Sequence, residues 1–285
     1  MRIKTACSAC LMLILLTALC CASALAGGPD LADVVAKVKE IYTYDNVART
    51  QQDFEAFRDA GLSFQPELLA PLTGVAGCKD QEGLRLLGGV YVADSKYARE
   101  FGHLDIFTAT RDAIMDQVLW RLEARDRVEA YRFDDKLLEA LRTNPDDEAA
   151  RQAWYKANYD MLMRQLDAAE HDPEVLDVTL DTLYGSAVEA AWLACTLARS
   201  SGSDAQLVRI FNNVSHRMQL LQAVLHYATD NQTLAARLET TERDQVLTPI
   251  IQLIMNRNGS LRADDIQGLL FLLAPEREQM TALCK

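Results

Sequence analysis

The chain has 285 residues, with 41 acidic and 29 basic side chains and a net charge of −12 at pH 7. This balance argues against nucleic acid and anionic membrane surfaces as partners, because clustered lysine and arginine are needed to bind either. The charge is compatible with a cationic ligand, but solubility alone is the simpler explanation for it. We therefore expect a protein or small-molecule partner.

The first 26 residues have the composition of a secretory signal peptide. Arg2 and Lys4 give a positive start, an apolar run follows at 11–19, and Ala24 and Ala26 supply small residues for signal peptidase. The apolar run is too short for a membrane span, which needs roughly 20 such residues. We predict cleavage after Ala26, no membrane span, and a mature chain that is periplasmic or secreted.

Two cysteines near the end of the apolar run leave a second interpretation open. Cys20 and Cys21 could carry a lipid anchor, although the bulky Leu19 stands where a lipoprotein signal has a small residue. The mature chain would be residues 27–285, with a net charge of −14 because the leader removes two basic residues and no acidic one. We predict that these residues form a single domain.

Helix signals recur along the whole mature chain. The clearest periodic stretch is 207–225, where apolar residues return every three or four positions and mark one helix face. Strand signals are thin, since no two-residue hairpin turn separates alternating runs. The sequence predicts an all-α fold, a multi-helix bundle or irregular helical array of about eight to eleven antiparallel helices. Helix starts are predicted at Pro29–Asp30, Pro145–Asp146, Pro173, Asp204 and Pro275.

The stretch LLGGVYVADSKYAREF at 86–101 contains two features that need explanation. As a helix it places Asp94 on the same stripe as Leu87, while Gly88 and Gly89 each cost about 1 kcal/mol relative to alanine. That cost predicts the close approach of a second helix, since glycine puts no side chain between two backbones. The alternative is a strand over GGVYVA, followed by a helix that Asp94 caps.

A second predicted helix carries a related set of residues. In GSAVEAAWLAC, a glycine precedes a glutamate and a tryptophan on or beside the apolar face. If the two helices pack together, their carboxylates and rings meet in one pocket, which would suit a small cation or amine. The alternative is structural: the carboxylates bond to tyrosine or arginine side chains of the chain itself, or Glu189 faces solvent. The predicted ligand-binding residues are Asp94, Glu189, Tyr91, Tyr97 and Trp192, and the predicted helix-packing residues are Gly88, Gly89 and Gly185.

Three cysteines remain after the leader. Cys195 lies in the apolar run AWLACTLA and is expected to be a buried, inert thiol. Cys78 lies in the polar segment GCKDQ and Cys284 is next to the C-terminus, and export favours their pairing. We predict a Cys78–Cys284 disulfide that ties the end of the chain to its early part.

No motif nominates a catalytic residue, a cofactor or a metal. None of the four histidines lies three or four positions from another, so local spacing provides no helical zinc pair. The segment IMNRNGSLRADD at 254–265 is close to a calcium loop, but Ile254 replaces the first aspartate and Asp265 the final glutamate. We expect no cofactor, no metal and a non-catalytic role, with an enzyme assembled only in three dimensions left open.

The two glycine-bearing segments resemble those of an uncharacterised family of exported all-α bacterial proteins. The matching residues are Leu87, Gly88 or Gly89, Tyr91, Ala93, Asp94 and Tyr97, followed by Gly185, Val188, Glu189 and Trp192. The resemblance implies an exported helical protein and assigns no activity. Our leading hypothesis is a non-catalytic binding or interaction protein of the bacterial cell envelope. The alternative is a small-ligand or cation-binding protein with a pocket around Asp94 and Glu189.

Overall fold

The computed structural model confirms the predicted all-α fold. Among the residues that it describes there are eleven α-helices and no β-strand. None of these helices is both long enough and apolar enough to cross a bilayer. The predicted signal peptide at 1–26 lies outside the described residues. The structure describes residues 29–52, 54–59, 61–78, 80–119, 121–122, 136–137, 139, 143–144, 147–199 and 204–282.

Two short 3₁₀ segments and one π-helical turn accompany the α-helices. The 3₁₀ segments, Pro66–Leu68 and Leu72–Gly77, lie between the third and fourth helices. The π turn, Ile114–Leu119, directly follows the fifth helix. The α-helices are α1 (Leu31–Ile41), α2 (Tyr44–Gln51), α3 (Glu55–Asp59), α4 (Gln81–Glu100), α5 (Leu104–Ala113), α6 (Glu148–Ala169), α7 (Pro173–Ala198), α8 (Asp204–Ala228), α9 (Gln232–Arg237), α10 (Thr240–Asn256) and α11 (Ala263–Ala282).

Aspartates begin several of the helices, because a carboxylate accepts the backbone N–H groups that the first turn leaves unpaired. Asp30 accepts from the Asp33 N–H at 2.9 Å, and the Asp33 carboxylate accepts from the Asp30 N–H in return. Asp172 accepts from the Glu174 N–H at 3.1 Å and is followed by Pro173 at the first helical position. These bonds fix the predicted starts of α1 and α7.

Two segments differ from what local signals indicate. The strand alternative for GGVYVA is wrong, because α4 is one uninterrupted helix with 16 of its 20 residues buried. Pro275 does not begin the last helix, since α11 starts at Ala263 and continues through it. Proline there removes the hydrogen bond to the Phe271 carbonyl, and both residues are exposed, so water can solvate the freed group.

The centre of the molecule is α7, which packs against α4, α6, α8 and α11. Twenty of its 26 residues are buried. A helix that is buried on all sides needs apolar or paired residues around its whole circumference, whereas a surface helix needs only one apolar stripe. The run from Ala187 to Ala198, in which only Glu189 and Thr196 are polar, meets this need in the second half of α7.

Arginines from neighbouring helices neutralise the buried acids in the first half of α7. Asp177 pairs with Arg237 of α9 at 2.6 Å. Asp181 pairs with Arg243 of α10 at 2.6 Å and also with Arg85 of α4. Breaking one partner of such a pair leaves a buried charge and is strongly destabilising. These pairs therefore disfavour other registers of α4, α9 and α10 against the central helix.

Candidate functional site

The two glycine-bearing helices, α4 and α7, form the most extensive helix pair in the described chain. A Cβ atom added to Gly89 would lie 2.5 Å from the carbonyl oxygen of Thr182. A Cβ atom added to Gly185 would collide with the carbonyl group of Leu86. Both obstacles are backbone atoms, so neither can rotate away. The structure thus places these two glycines where the two backbones come closest.

Gly88 has a different environment, although it adjoins Gly89 in the chain. The nearest neighbour of a Cβ atom at Gly88 would be Cγ1 of Val118, at 3.2 Å. This neighbour belongs to a side chain of the π turn and not to the α7 backbone. The grouping of three glycines as one packing motif is therefore corrected: the structure brings together Gly89 and Gly185 only.

Three of the predicted ligand-binding residues hold a segment of the chain itself. This segment, residues 65–71, contains the first 3₁₀ turn and lies against α4. Burial raises the pKa of Tyr91 and of Tyr97 to about 12, so both hydroxyls stay protonated near neutral pH. The contacts are Ala70 N–H to Asp94 Oδ2 at 2.8 Å, Gln65 N–H to Tyr97 Oη at 3.0 Å, and Tyr91 O–H to Pro71 O at 3.0 Å.

Glu189 is fully buried on α7 and pairs with Arg277 of α11. The guanidinium Nε donates to Glu189 Oε2 at 2.7 Å, and Nη2 donates to the carbonyl oxygen of Leu68 at 2.8 Å. The guanidinium carbon lies 3.8 Å from the centroid of the Trp192 ring, within the range of a cation–π contact. Arg277 thus supplies the positive charge that the predicted pocket would have received from a cationic ligand.

The carboxyl groups of Asp94 and Glu189 meet at the centre of this cluster. Burial and the adjacent charge of Glu189 raise the pKa of Asp94 well above its usual range. Burial also raises the pKa of Glu189, but Arg277 and a hydrogen bond from Asp94 oppose that rise. Asp94 Oδ1 and Glu189 Oε1 are buried and have no other partner among the described residues. A protonated Asp94 that donates to an ionised Glu189 satisfies both oxygens.

Arg277 is the member of this cluster that the sequence interpretation missed. It lies 88 positions after Glu189, so no local motif connects the two. A signal was nevertheless present, because Arg277 falls on the stripe of Leu270, Leu273 and Met280, at steps of three and four. All three of these apolar residues are buried. A charged residue on a buried stripe needs a partner of opposite charge, which is the argument that singled out Asp94.

A separate cavity of about 160 Å³ lies on another side of α4, and we call it the helix cavity. Its wall is formed by α2, α4, α5, the π turn, α6, α7 and α8, and it is mainly apolar. None of the five predicted ligand-binding residues lines it, whereas Gly88 does. The contribution of α4 follows helical spacing of three and four residues: Arg85, Gly88, Val92, Ser95 and Lys96.

Two polar groups in the wall of the helix cavity are not satisfied by the described part of the chain. Gln51, at the end of α2, is 4% exposed, and its Oε1 atom has no hydrogen-bond partner there. Nε of Arg111, on α5, is likewise buried without a partner. Such a group costs about 1–3 kcal/mol relative to a paired one. The helix cavity therefore differs from the Asp94–Glu189 cluster, where the chain supplies every partner.

The charged groups in the wall of the helix cavity are all basic among the described residues. The chain as a whole has more acidic than basic side chains, so this local balance runs opposite to the overall one. Cationic groups around an apolar space favour an occupant that carries a negative charge. The basic residues are Arg85, Lys96, Arg111 and Arg217.

Among the described residues, the cysteines and the calcium-like loop provide no reactive site. Cys195 is free and buried, and burial raises the pKa of its thiol, which keeps it protonated. Cys78 is disulfide-bonded, but its predicted partner Cys284 lies outside the described residues, so that pairing stays a prediction. Asp265 accepts from the Arg262 N–H at 3.0 Å. The described residues contain no group of three or more His, Cys, Asp or Glu side chains placed to bind a metal ion.

Comparison of the chain with protein-family models, with curated proteins and with solved structures gave no match. The resemblance of the two glycine-bearing segments to exported helical proteins therefore stays a prediction.

Proposed function

We propose that the protein is a non-catalytic binding protein that holds a small, mainly apolar molecule in the helix cavity. The proposal depends on one observation, the buried amide of Gln51, which lines the helix cavity and whose oxygen has no partner among the described residues. Buried polar atoms in folded proteins are nearly always hydrogen-bonded, so an exception calls for an explanation. A bound molecule that forms a hydrogen bond with the Gln51 amide, whose oxygen and NH₂ group exchange places by a half-turn, explains it.

The volume of the helix cavity sets the size of the occupant. An apolar cavity of about 150 Å³ holds a molecule such as benzene, and the helix cavity has about 160 Å³. Met115, Met161 and Leu183 line it and are only half-buried, so they mark a side that is nearer to solvent. Methionine side chains adapt to different shapes, which suits a site that a ligand enters and leaves.

The alternative binding site, a cation pocket around Asp94 and Glu189, has less support. Arg277 already donates to Glu189 and lies over Trp192. A ligand cation would have to displace this guanidinium from a buried position, and the displaced charge would need a new partner. We therefore assign the Asp94–Glu189 cluster a structural role.

We further propose that the protein is exported, on the basis of the leader at 1–26 and of the Cys78 disulfide. Disulfides persist in oxidising compartments and are rare in the cytosol. Expression of the complete chain in a Gram-negative bacterium should yield a periplasmic product whose first residue is Gly27. A product that remains in the cytosol with its leader attached would contradict the export proposal and leave the binding proposal intact.

The binding proposal is tested by titrating the protein with benzene and 1-hexanol while the methyl groups of Ile, Leu and Val are observed by NMR. We expect saturable shifts at methyls that line the helix cavity, such as those of Val118, Leu119 and Leu183. Methyls of Ile250 and Leu269, which pack in another part of the core, should not move. The absence of saturable shifts at the cavity methyls would refute the proposal.

A matched pair of variants connects the shifts to the helix cavity. Leu183→Trp places a large ring into the cavity from its half-buried side and should weaken 1-hexanol binding about tenfold or more. Leu253→Trp makes the same change at a half-buried position of α10 that does not line the cavity. It should leave binding unchanged. Equal effects of the two substitutions would mean that the ligand binds elsewhere.

A further inference from the structure

We propose that the occupant of the helix cavity is a small organic carboxylate with an apolar body, about six to ten non-hydrogen atoms in all. This inference rests on the proposed function and adds the chemical class of the ligand. It is carried by the charges in the wall of the cavity and by the two groups there that lack a partner. A carboxylate accepts from Arg111 Nε, and it accepts from the Gln51 amide once the NH₂ group of that amide faces the cavity. The apolar body of the ligand contacts the apolar part of the wall.

The charges in the wall of the cavity all have the same sign. Among the described residues, the cavity wall contains four basic side chains and no aspartate or glutamate. The chain has 41 acidic and 29 basic residues, so a cavity wall without aspartate or glutamate differs from the overall composition of the protein. A cationic ligand would meet repulsion here, and an anionic ligand would gain from the field of several charges in a poorly solvated space.

These basic side chains differ in whether they have a donor that can contact a ligand. Arg85 is paired with the buried Asp181, so its charge is largely compensated. Arg217 donates to Ser186 Oγ at 3.1 Å and to the carbonyl oxygen of Thr50, which holds its guanidinium in place. Arg111 donates from Nη2 to the Asp112 carboxylate at 3.2 Å, but its Nε is buried and has no partner among the described residues, so one donor of this cavity-lining side chain stays available. We assign Arg111 as the principal contact for the carboxylate.

Gln51 can provide a second donor to the carboxylate. The carbonyl oxygen of the preceding residue, Thr50, accepts from Arg217, and Gln51 and Arg217 both line the cavity. A side-chain amide offers an acceptor oxygen and a donor NH₂ group, and a half-turn about its last torsion exchanges them. With the NH₂ group turned inward, Gln51 donates to one carboxylate oxygen and Arg111 donates to the other.

The apolar body of the ligand is accommodated by the remainder of the wall. Phe107, Val118, Leu119 and Leu162 are buried there and carry no polar group. The aromatic ring of Phe107 also stacks edge-to-face with Trp154, which lines the cavity too and stiffens this end. An alkyl chain of five or six carbons or one phenyl ring matches the available volume.

The decisive experiment compares three probes with the same alkyl chain and different charge by titration calorimetry. The probes are hexanoate, 1-hexanol and hexylammonium. We expect hexanoate to bind about tenfold more tightly than 1-hexanol, and hexylammonium to bind most weakly, because a hydrogen bond to a charged group is worth about tenfold or more. Added NaCl should weaken hexanoate binding and leave 1-hexanol binding unchanged.

Two variants identify the contacts. Arg111→Gln should remove the preference for hexanoate over 1-hexanol without changing the affinity for 1-hexanol, and Arg199→Gln, an exposed control outside the cavity, should change neither. Gln51→Glu keeps the shape of the side chain and reverses the charge balance, so it should abolish hexanoate binding and favour hexylammonium. Circular dichroism of each variant shows whether it is folded.

The outcomes separate this inference from the function on which it rests. If 1-hexanol binds as tightly as hexanoate, or hexylammonium binds more tightly, the anionic class is wrong and the binding proposal stands. If Arg111→Gln keeps the full preference for hexanoate, the assigned contact is wrong. If none of the three probes binds, both the ligand class and the proposed function are refuted.

Discussion

Helix α4 borders two polar sites, and the two are completed in different ways. On the side that faces α7 and α11, the chain supplies every partner: Ala70 bonds to Asp94, and Arg277 bonds to Glu189. On the side that faces the helix cavity, buried atoms of Gln51 and Arg111 lack partners in the described chain. We call these the closed site and the open site. Closed polar networks fix a fold, and unsatisfied ones point to an occupant.

The largest expected effect lies in the closed site. Glu189→Gln keeps the shape of the side chain but leaves Arg277 without its counter-charge, and we expect a loss of about 3 kcal/mol in the free energy of unfolding. Urea denaturation followed by circular dichroism measures this loss. Glu278→Gln, an exposed glutamate on α11, should change stability by less than about 0.5 kcal/mol.

A double variant shows whether the loss comes from the unpaired charge. Glu189→Leu combined with Arg277→Met removes both charges and should be less destabilising than the two single substitutions added together. A loss below about 1 kcal/mol for Glu189→Gln alone would mean that solvent already compensates Arg277. The description of this site as closed would then be wrong.

The adjacent glycines of α4 give the next largest effect. Gly89→Ala brings a methyl group within 2.5 Å of the Thr182 carbonyl oxygen, so α4 and α7 must move apart at about 2–3 kcal/mol. Gly88→Ala meets only the Val118 side chain, and the gain of about 1 kcal/mol in helix propensity offsets the tighter contact. We expect Gly88→Ala to lie within about 1 kcal/mol of the wild type. Urea denaturation measures both effects. If Gly88→Ala and Gly89→Ala lowered the free energy of unfolding equally, the two glycines would not have the different environments described.

Local signals in the sequence were sufficient for the fold class and for part of the closed site. The starts of α1 and α7 follow from Asp30 and Asp172, because a cap is decided by residues within one turn. The buried position of Asp94 follows from helical spacing alone. The close approach at Gly89 follows from the cost of a glycine that no local turn requires.

The pairing of Arg277 in the closed site, and the whole of the open site, depend on contacts between distant parts of the chain. Arg277 meets Glu189 across 88 positions, and the rotation of α11 that brings them together is set by the whole core. The open site is even harder to predict from the sequence, because Gln51 and Arg111 lie on different helices and neither residue is unusual in its own segment. A lone glutamine at a helix end usually faces solvent, and only the packing of six helices buries this one.

The pH dependence of stability offers a test of the shared proton in the closed site. The groups that face Asp94 are Glu189, Arg277, Tyr91 and Tyr97. Because the folded protein raises the pKa of Asp94, it binds a proton that the unfolded chain releases at lower pH. The contribution to stability is present below the usual aspartate range and is lost as pH rises through the raised pKa, at roughly 1.4 kcal/mol per unit of pKa difference.

Asp94→Asn replaces the protonated acid with an amide of the same shape. Its oxygen accepts from Ala70 and its NH₂ group donates to Glu189, so we expect stability near that of the wild type at acid pH. At pH values above the raised pKa of Asp94, the variant should be more stable than the wild type, because the amide does not ionise. Asp94→Ala loses both bonds and should be destabilised throughout. Parallel pH profiles for wild type and Asp94→Asn, measured by thermal unfolding, would refute the shared proton.

The smallest expected change in stability has the opposite sign and belongs to the open site. Gln51→Met keeps the length of the side chain and removes a buried amide oxygen that has no partner, so it should raise the free energy of unfolding by about 1 kcal/mol. The same substitution should weaken hexanoate binding, because the donor to the carboxylate is lost. Urea denaturation and calorimetry on one preparation measure both effects. A decrease in stability would show that the chain itself satisfies Gln51, and the contrast between a closed and an open site would fail. Opposite changes in stability and affinity are expected of a residue retained for binding, since natural chains give up stability at functional sites.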